Sequence, residues 1–211
     1  MFTVDAIARL CRHLPAPGRR PLHAIAEPKL AATAVPVVDL DGEAAVILTQ
    51  RPSTMTYHRG DWVFPGGRVD ESDATGANAA VRELGEELGV PGEIVGQLDT
   101  HGPIVTGFLI EVFVVVVSAG ATLQPDAREV SAVATVSLEH FLAPGNLAFD
   151  RPWPMFEAGP RAVEVDTGAV SPARDMPSFV LPDGDLVWGT QGAILENFLQ
   201  QLTRLRELGL G

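Results

Sequence analysis

Apolar positions follow two periods along this chain, and the switches between them mark most of its elements. Ile7, Leu10, Cys11 and Leu14 recur at the spacing of one helix face until Pro15, Pro17, Gly18 and Pro21 interrupt it, so residues 3–14 are expected to form a short amphipathic helix followed by a linker. Residues 34–40 and 44–49 are β-rich runs separated by Asp41-Gly42, a dipeptide suited to the positive backbone angles of a tight hairpin. Residues 50–73 are dense in Arg, Pro, Gly, Ser and Asp and read as a long loop with one short strand at 62–64. Such a loop inside a compact domain is usually functional. Residues 74–88 hold strong helix formers and no Pro, with Gly89 as the stop and Asp73 as the expected N-cap. Residues 93–98, 107–117 and 131–136 read as strands, the second so continuously apolar that it is expected inside a sheet covered on both faces. A helical turn is expected over 138–142, and an irregular Pro- and Gly-rich stretch with brief strands over 143–185. A closing helix over 192–208 carries Ile194, Leu195, Phe198, Leu199, Leu202, Leu205 and Leu208 in one stripe, expected to pack on the core or on a second subunit in a homodimer.

Composition narrows the partners. The 211 residues are 46% hydrophobic and 20% charged, enough for one sizeable core. Fifteen Lys and Arg against 27 Asp and Glu leave a formal charge of -12, the wrong sign for a chain that wraps phosphate backbones, so no nucleic acid polymer is expected. A single cysteine, Cys11, allows neither an intrachain disulfide nor a thiolate zinc site and fits a reducing compartment. The longest apolar run, residues 112–117, is far short of the roughly 20 residues of a membrane span. Residues 1–14 lack the basic-then-apolar order of a secretory signal, so a cytoplasmic protein with no membrane partner is expected.

The segment richest in chemistry is Gly66-Gly67, then Arg82-Glu83-Leu84-Gly85-Glu86-Glu87-Leu88-Gly89-Val90. At about 100° per helical residue, Glu83, Glu86 and Glu87 share an arc of roughly 100° beside the apolar arc of Ala77, Ala80, Val81, Leu84 and Leu88. Like charges at these spacings repel, and the repulsion grows toward a core, so a counter-charge is expected. All-oxygen ligands of this kind suit Mg²⁺ or Mn²⁺, hard cations that bridge to substrate phosphates. A Glu pair on a helix is ordinarily a solvated acidic face. Two neighbours argue otherwise here: Arg82, able to orient a carboxylate by a charge-assisted hydrogen bond, and the Gly-Gly turn, which lets backbone approach a ligand closely.

The run from Arg82 to Val90, preceded by Gly67, resembles the Nudix box of hydrolases acting on nucleoside diphosphates linked to another moiety. Where the family's motif has Glu after Gly and five residues, then seven residues before Arg, this chain has Asp73 and eight residues. That variant is similar to the coenzyme A diphosphatase branch, as is Leu48-Thr49-Gln50-Arg51 leading through Gly60 to Phe64-Pro65-Gly66-Gly67, although Pro52 and Thr56 depart from the branch motif. The resemblance covers about residues 31–205. It implies an α/β fold, an α/β/α sandwich with a mixed β-sheet, with residues 1–27 as N-terminal helix and linker, 28–211 as the hydrolase domain and 146–180 as an irregular insertion.

It also implies roles. Glu83, Glu86, Glu87 and the Gly66 carbonyl are the expected metal ligands and Arg82 orients the cluster; one of these glutamates, or a carboxylate from a facing loop, for which Glu129 after a turn-rich stretch is the candidate, accepts the proton of the attacking water. Arg51, Arg59 and Gly67 are expected at the substrate. The five His lack metal-ligand spacing, and only His58, in the Gly-rich loop, is a candidate for touching it. The implied reaction is metal-dependent hydrolysis of a small nucleotide derivative, coenzyme A or an acyl-coenzyme A first, with ADP-ribose, NADH or dinucleotides as alternatives. A non-catalytic nucleotide-binding module is the reading of a different class.

Overall fold

The computed structural model describes residues 1–20, 29–54, 59–102, 107–148 and 177–210. In chain order these form α1 (Val4–Cys11), β1 (Arg19–Arg20), β2 (Lys29–Leu40), β3 (Glu43–Gln50), β4 (Trp62–Val63), β5 (Gly66–Arg68), α2 (Gly76–Leu88), β6 (Gly92–Gln97), β7 (Thr100–His101) and β8 (Phe108–Val117). There follow β9 (Ala132–Ser137), α3 (Leu138–Leu142), β10 (Leu147–Ala148), β11 (Ser178–Val180), β12 (Leu186–Val187) and α4 (Gly189–Glu207).

The Asp41-Gly42 hairpin forms as expected. Both residues have positive φ, 53° and 89°, and Leu40 pairs with Glu43 across the turn, which launches antiparallel β2 and β3. β2 also pairs in parallel with β8, from Lys29 opposite Phe108 to Val37 opposite Val116, so the sheet is mixed. Along its main path the order is β1-β7-β8-β2-β3-β4, with β5 on β2, β6 on β8 and β9 on β3.

Side chains alternate between two apolar layers, one on each face of this sheet. Val46 and Leu48 of β3 and Val112 and Val114 of β8 join α1, α3 and α4, whereas Ile47, Phe113 and Val115 join α2. β8 is apolar on both faces because helices cover both, and the α/β/α sandwich is the result. α1, whose Pro-rich exit suggests an appendage, lies inside the first layer: Phe2, Ile7, Leu10 and Cys11 are buried there, and Arg206 of α4 stacks 4.5 Å over the Phe2 ring.

Three expectations need correcting. The Gly66-Gly67 segment, read as loop, pairs with β2 as β5, because tertiary register overrides the poor β-propensity of glycine. A Cβ on Gly66 would lie 2.5 Å from the Ala32 carbonyl oxygen, so only glycine permits this approach. The N-cap of α2 is Thr75, whose hydroxyl accepts the Asn78 amide, and Asp73 lies one turn before the helix. Leu208 follows the end of α4 and is 63% exposed, while Ile194, Leu195, Phe198, Leu199, Leu202 and Leu205 are buried. Among the described residues no helix is long and apolar enough to cross a membrane.

Candidate active site

α2 presents its carboxylates because its other face is anchored. Ala79, Ala80, Leu84 and Leu88 are buried against Ala32, Ala34, Ile47 and Val115, and Gly89, with φ of 68°, stops the helix in the left-handed conformation. Glu83 and Glu87 then lie where helix meets sheet, and Glu86 turns outward.

Arg82 ties the acidic residues together. Its Nε and Nη2 donate to Asp73 at 3.1 and 2.8 Å, Nη1 to Glu83 and Glu86 at 2.9 and 2.8 Å, and Nη2 also to the Arg68 carbonyl at 3.0 Å. Every N–H of the guanidinium is therefore used, a geometry that a lysine could not reproduce. Hydrogen bonds from Arg82 hold the Asp73 carboxyl below its ordinary range. The aspartate that the sequence suggests as a cap is thus the anchor for this arginine.

Glu87 is 5% exposed and accepts two hydrogen bonds: from the Gly66 amide to Oε1 at 3.0 Å and from the Thr49 hydroxyl to Oε2 at 3.1 Å. Burial nevertheless pushes its carboxyl up to about 7, against the lowering effect of those donors and of the Arg51 charge. Glu83 is raised as well, chiefly by burial, with Arg82 opposing. Its carboxylate fills the space where a Cβ on Gly67 would stand, which is the physical reason for glycine there.

Glu129 reaches the pair through a loop docked on the end of α2. The Gln124 amide donates to the Leu88 carbonyl at 2.8 Å and the Asp126 amide to the Glu87 carbonyl at 3.0 Å, satisfying helix-end acceptors. A turn then carries the chain on, with the Glu129 amide 2.9 Å from the Asp126 carbonyl. Carboxylate oxygens of Glu83, Glu87 and Glu129 consequently lie within 4.8 Å of one another. Carboxylates this close, Glu87 buried and Glu83 half-buried with both pushed upward by burial, and all-oxygen in their chemistry, fit a hard divalent cation.

The structure treats the remaining expected residues differently. Glu86, its side chain 54% exposed, pairs with Arg82 at one edge of the trio. Arg51 follows β3, its backbone exchanging hydrogen bonds with Gly60 and Asp61, and its Nε is buried without a hydrogen-bond partner. Arg59 is exposed in the same loop, and His58 lies outside the described residues. The Gly66 amide is spent on Glu87. Two functional neighbours, Thr49 and Asp73, were assigned no such role from sequence. Thr49 is a polar residue at an inward position of an apolar strand, which is the signal that could have found it.

A model described as the NUDIX domain matches residues 28–155. The Nudix hydrolase NudL of Klebsiella pneumoniae (strain 342), itself uncharacterized, is 35% identical over 143 residues, 67% of this chain and 72% of that protein. The NudL of Cronobacter sakazakii is 37% identical over 117 residues, 54% of this chain and 60% of its own length. Among solved structures, the NUDIX domain of Shewanella oneidensis NrtR in complex with ADP ribose is 26% identical with a TM-score of 0.48, over 56% of this chain and 78% of that one. A Caenorhabditis elegans Ap4A hydrolase is 22% identical with a TM-score of 0.45, over 53% and 81%. With Arg82 holding Glu83 and Glu86, Glu87 buried beside them, and its sequence matched along more than half its length, the chain belongs to the Nudix hydrolase family.

Proposed function

We propose that this protein hydrolyses the diphosphate bond of a nucleoside diphosphate derivative, with coenzyme A or an acyl-coenzyme A as the preferred substrate. The observation that carries the reading is the convergence of carboxylates from two separate elements, Glu83 and Glu87 of α2 and Glu129 of the facing loop, within 4.8 Å. Glu83, Glu86, Glu87 and the Gly66 carbonyl would hold Mg²⁺ or Mn²⁺. A divalent cation there supplies neutralising charge for the diphosphate oxygens and makes a water molecule more acidic. Arg82 keeps Glu83 and Glu86 in position through its fixed fork. Glu129, exposed and on a loop, accepts the proton of the attacking water. Arg51, beside Glu87, and Arg59 bind the anionic substrate, and His58 is a further candidate contact. Residues 28–211 act as one hydrolase unit.

Support for coenzyme A is the segment from Leu48 through Arg51 and Gly60 to Gly67, which resembles the branch that cleaves it. A panel of coenzyme A, acetyl-coenzyme A, dephospho-coenzyme A, ADP-ribose, NADH and dinucleoside polyphosphates, with Mg²⁺ or Mn²⁺ and products read by mass, tests both levels. An adenosine bisphosphate and a phosphopantetheine formed at least tenfold faster than any other product supports the reading. Equal rates on dephospho-coenzyme A or ADP-ribose overturn the substrate and leave the reaction standing. No turnover of any member overturns both.

A further inference from the structure

We infer that a recess at the C-terminal end of β3 receives the adenine ring of the substrate, stacking it on Trp188 and taking its exocyclic amino group on Asp185; this rests on the nucleotide-derivative reading above. The recess holds about 300 Å³, and its walls include Gln50, Gly60, Asp61, Trp62, Asp185 and Trp188. Gln50 ends β3 opposite Trp62 of β4, and its Nε2 donates to the Gly60 carbonyl at 3.2 Å. The Trp62 indole N–H donates to Asp185 Oδ2 at 3.0 Å, which joins this wall to the residues flanking β12.

Consecutive residues of β3 link the recess to the acidic centre. Thr49 donates to Glu87 on the α2 side of the sheet, and Gln50 shares the opposite side with Trp62, which packs in the layer of α4. Arg51, whose charge acts on Glu87, has its backbone bonded to Gly60 and Asp61 of the recess wall. Ser131, two residues after Glu129, donates its amide to the Gln50 carbonyl at 2.8 Å. A nucleoside diphosphate laid across the end of β3 would thus meet Arg51 with its phosphates and the recess with its base. The lining contains the carboxylates of Asp61 and Asp185 and no lysine or arginine, so it disfavours phosphate and suits a group that donates hydrogen bonds. Asp185 is exposed and takes one N–H from Trp62, which leaves its carboxylate with acceptor positions to spare. Trp188 is half-buried and supplies an indole on which a flat ring can stack. Of the parts of an adenine nucleotide, only the base is both flat and an N–H donor, and stacking with edge hydrogen bonds is how enzymes read a base outside a duplex.

The test uses the full chain with chelator, so that binding is read apart from hydrolysis. Adenosine and inosine 5′-monophosphates share a phosphate and differ at the base, which carries an amino donor in the first and a carbonyl acceptor in the second. By titration calorimetry the parent should bind the adenosine nucleotide about 10-fold tighter or more. Trp188→Ala should weaken both about 10-fold, and Trp188→Phe should stay within about threefold of the parent. Asp185→Asn can still accept the Trp62 indole through its amide oxygen but offers an N–H in place of the second oxygen, and should bring the two affinities within about threefold of each other. Equal affinities in the parent, parental binding by Trp188→Ala, or an unchanged preference in Asp185→Asn overturns the proposal. If Trp188→Ala does not fold, Trp188→Leu must show the same loss or the proposal falls. On whichever panel substrate is hydrolysed, Trp188→Ala should raise KM about 10-fold and leave the turnover number within about twofold, the mark of a lost binding contact. Turnover without the base preference overturns this inference alone. A base preference without turnover overturns the hydrolase reading and leaves the recess as a nucleotide site.

Discussion

α2 and α4 cover opposite faces of one sheet and are built on opposite terms. α4 buries Ile194, Leu195, Phe198, Leu199, Leu202 and Leu205, with its charged residues Glu196, Arg204, Arg206 and Glu207 turned to solvent or the rim. α2 buries small residues, Ala79 and Ala80, plus Leu84 and Leu88, and brings a carboxylate, Glu87, into the same buried layer. Each fully buried Phe or Leu contributes roughly 1.5 to 3 kcal/mol, while a desolvated carboxylate opposes folding when ionised. One helix supplies stability and the other consumes some of it to hold chemistry. The two are separable, and variants in each should move different observables.

The largest effect on stability is expected in α4. Phe198 is fully buried in the layer that also holds Phe2, Leu10 and Leu195, and Phe198→Ala should cost about 3 to 5 kcal/mol by denaturant unfolding. At a temperature where the variant remains folded, its turnover number with saturating metal should stay within about twofold of the parent. A tenfold fall in a demonstrably folded protein would break the comparison and make α4 a wall of the substrate site.

In α2 the balance reverses. Glu87→Gln should lower turnover by about 10² to 10³, near 3 to 4 kcal/mol of transition-state stabilisation, measured with saturating Mg²⁺. Stability without metal should hold or rise at neutral pH, because the substitution removes a buried charge. A variant within twofold of the parent's rate would remove Glu87 from the site.

The same carboxylate predicts a pH dependence. Its folded-state value is raised from 4.5 to about 7, so folding favours the protonated form. That contribution is fully present below about pH 4.5 and is lost as pH rises through about 7, a change of about 3 kcal/mol for the metal-free protein. Unfolding free energies of the parent and Glu87→Gln, measured with chelator from pH 4.5 to 7.5, should diverge over that window, the parent falling relative to the variant. Parallel curves would mean that Glu87 is paired or solvated in a way that cancels its burial.

Much of this comparison is legible in the amino-acid sequence. The hairpin at Asp41-Gly42, the doubly covered strand at 108–117 and the stripe of α4 from Ile194 to Leu205 follow local rules of turn chemistry and period and form as expected, Leu208 alone falling outside the stripe. The glutamates of α2 could be placed on one arc by helical geometry alone. What escaped depends on partners distant in sequence. β5 exists because Gly66 to Arg68 meet β2 over thirty residues upstream, and no local propensity of Gly-Gly announces that. Thr49 meets Glu87 across the sheet-helix boundary, a contact that requires the register of β3 to be known. Glu86 and Glu87 look alike in the sequence, yet one is half exposed on Arg82 and the other buried between Gly66 and Thr49.

The smallest expected effect separates Asp73 from Thr75 at the entrance to α2. Thr75 has extended backbone angles and its hydroxyl accepts the Asn78 amide at 3.2 Å, the geometry of a cap, so Thr75→Ala should cost about 1 kcal/mol of stability. Its effect on turnover should be under twofold, since Glu83 and Glu87 lie two and three turns further on and are held by Arg82, Gly66 and Thr49. Asp73 makes no cap bond; it takes Arg82 Nε and Nη2 and the Asp70 amide. Asp73→Asn should therefore act on turnover more than on stability, because Arg82 loses the charge that orients it while the helix keeps its cap. Both variants can be scored in one experiment that reads melting temperature beside turnover. If Asp73→Asn proved the more destabilising of the two and left turnover intact, Asp73 would be the true entrance to α2, and the orientation of the glutamates would have to come from the sheet alone.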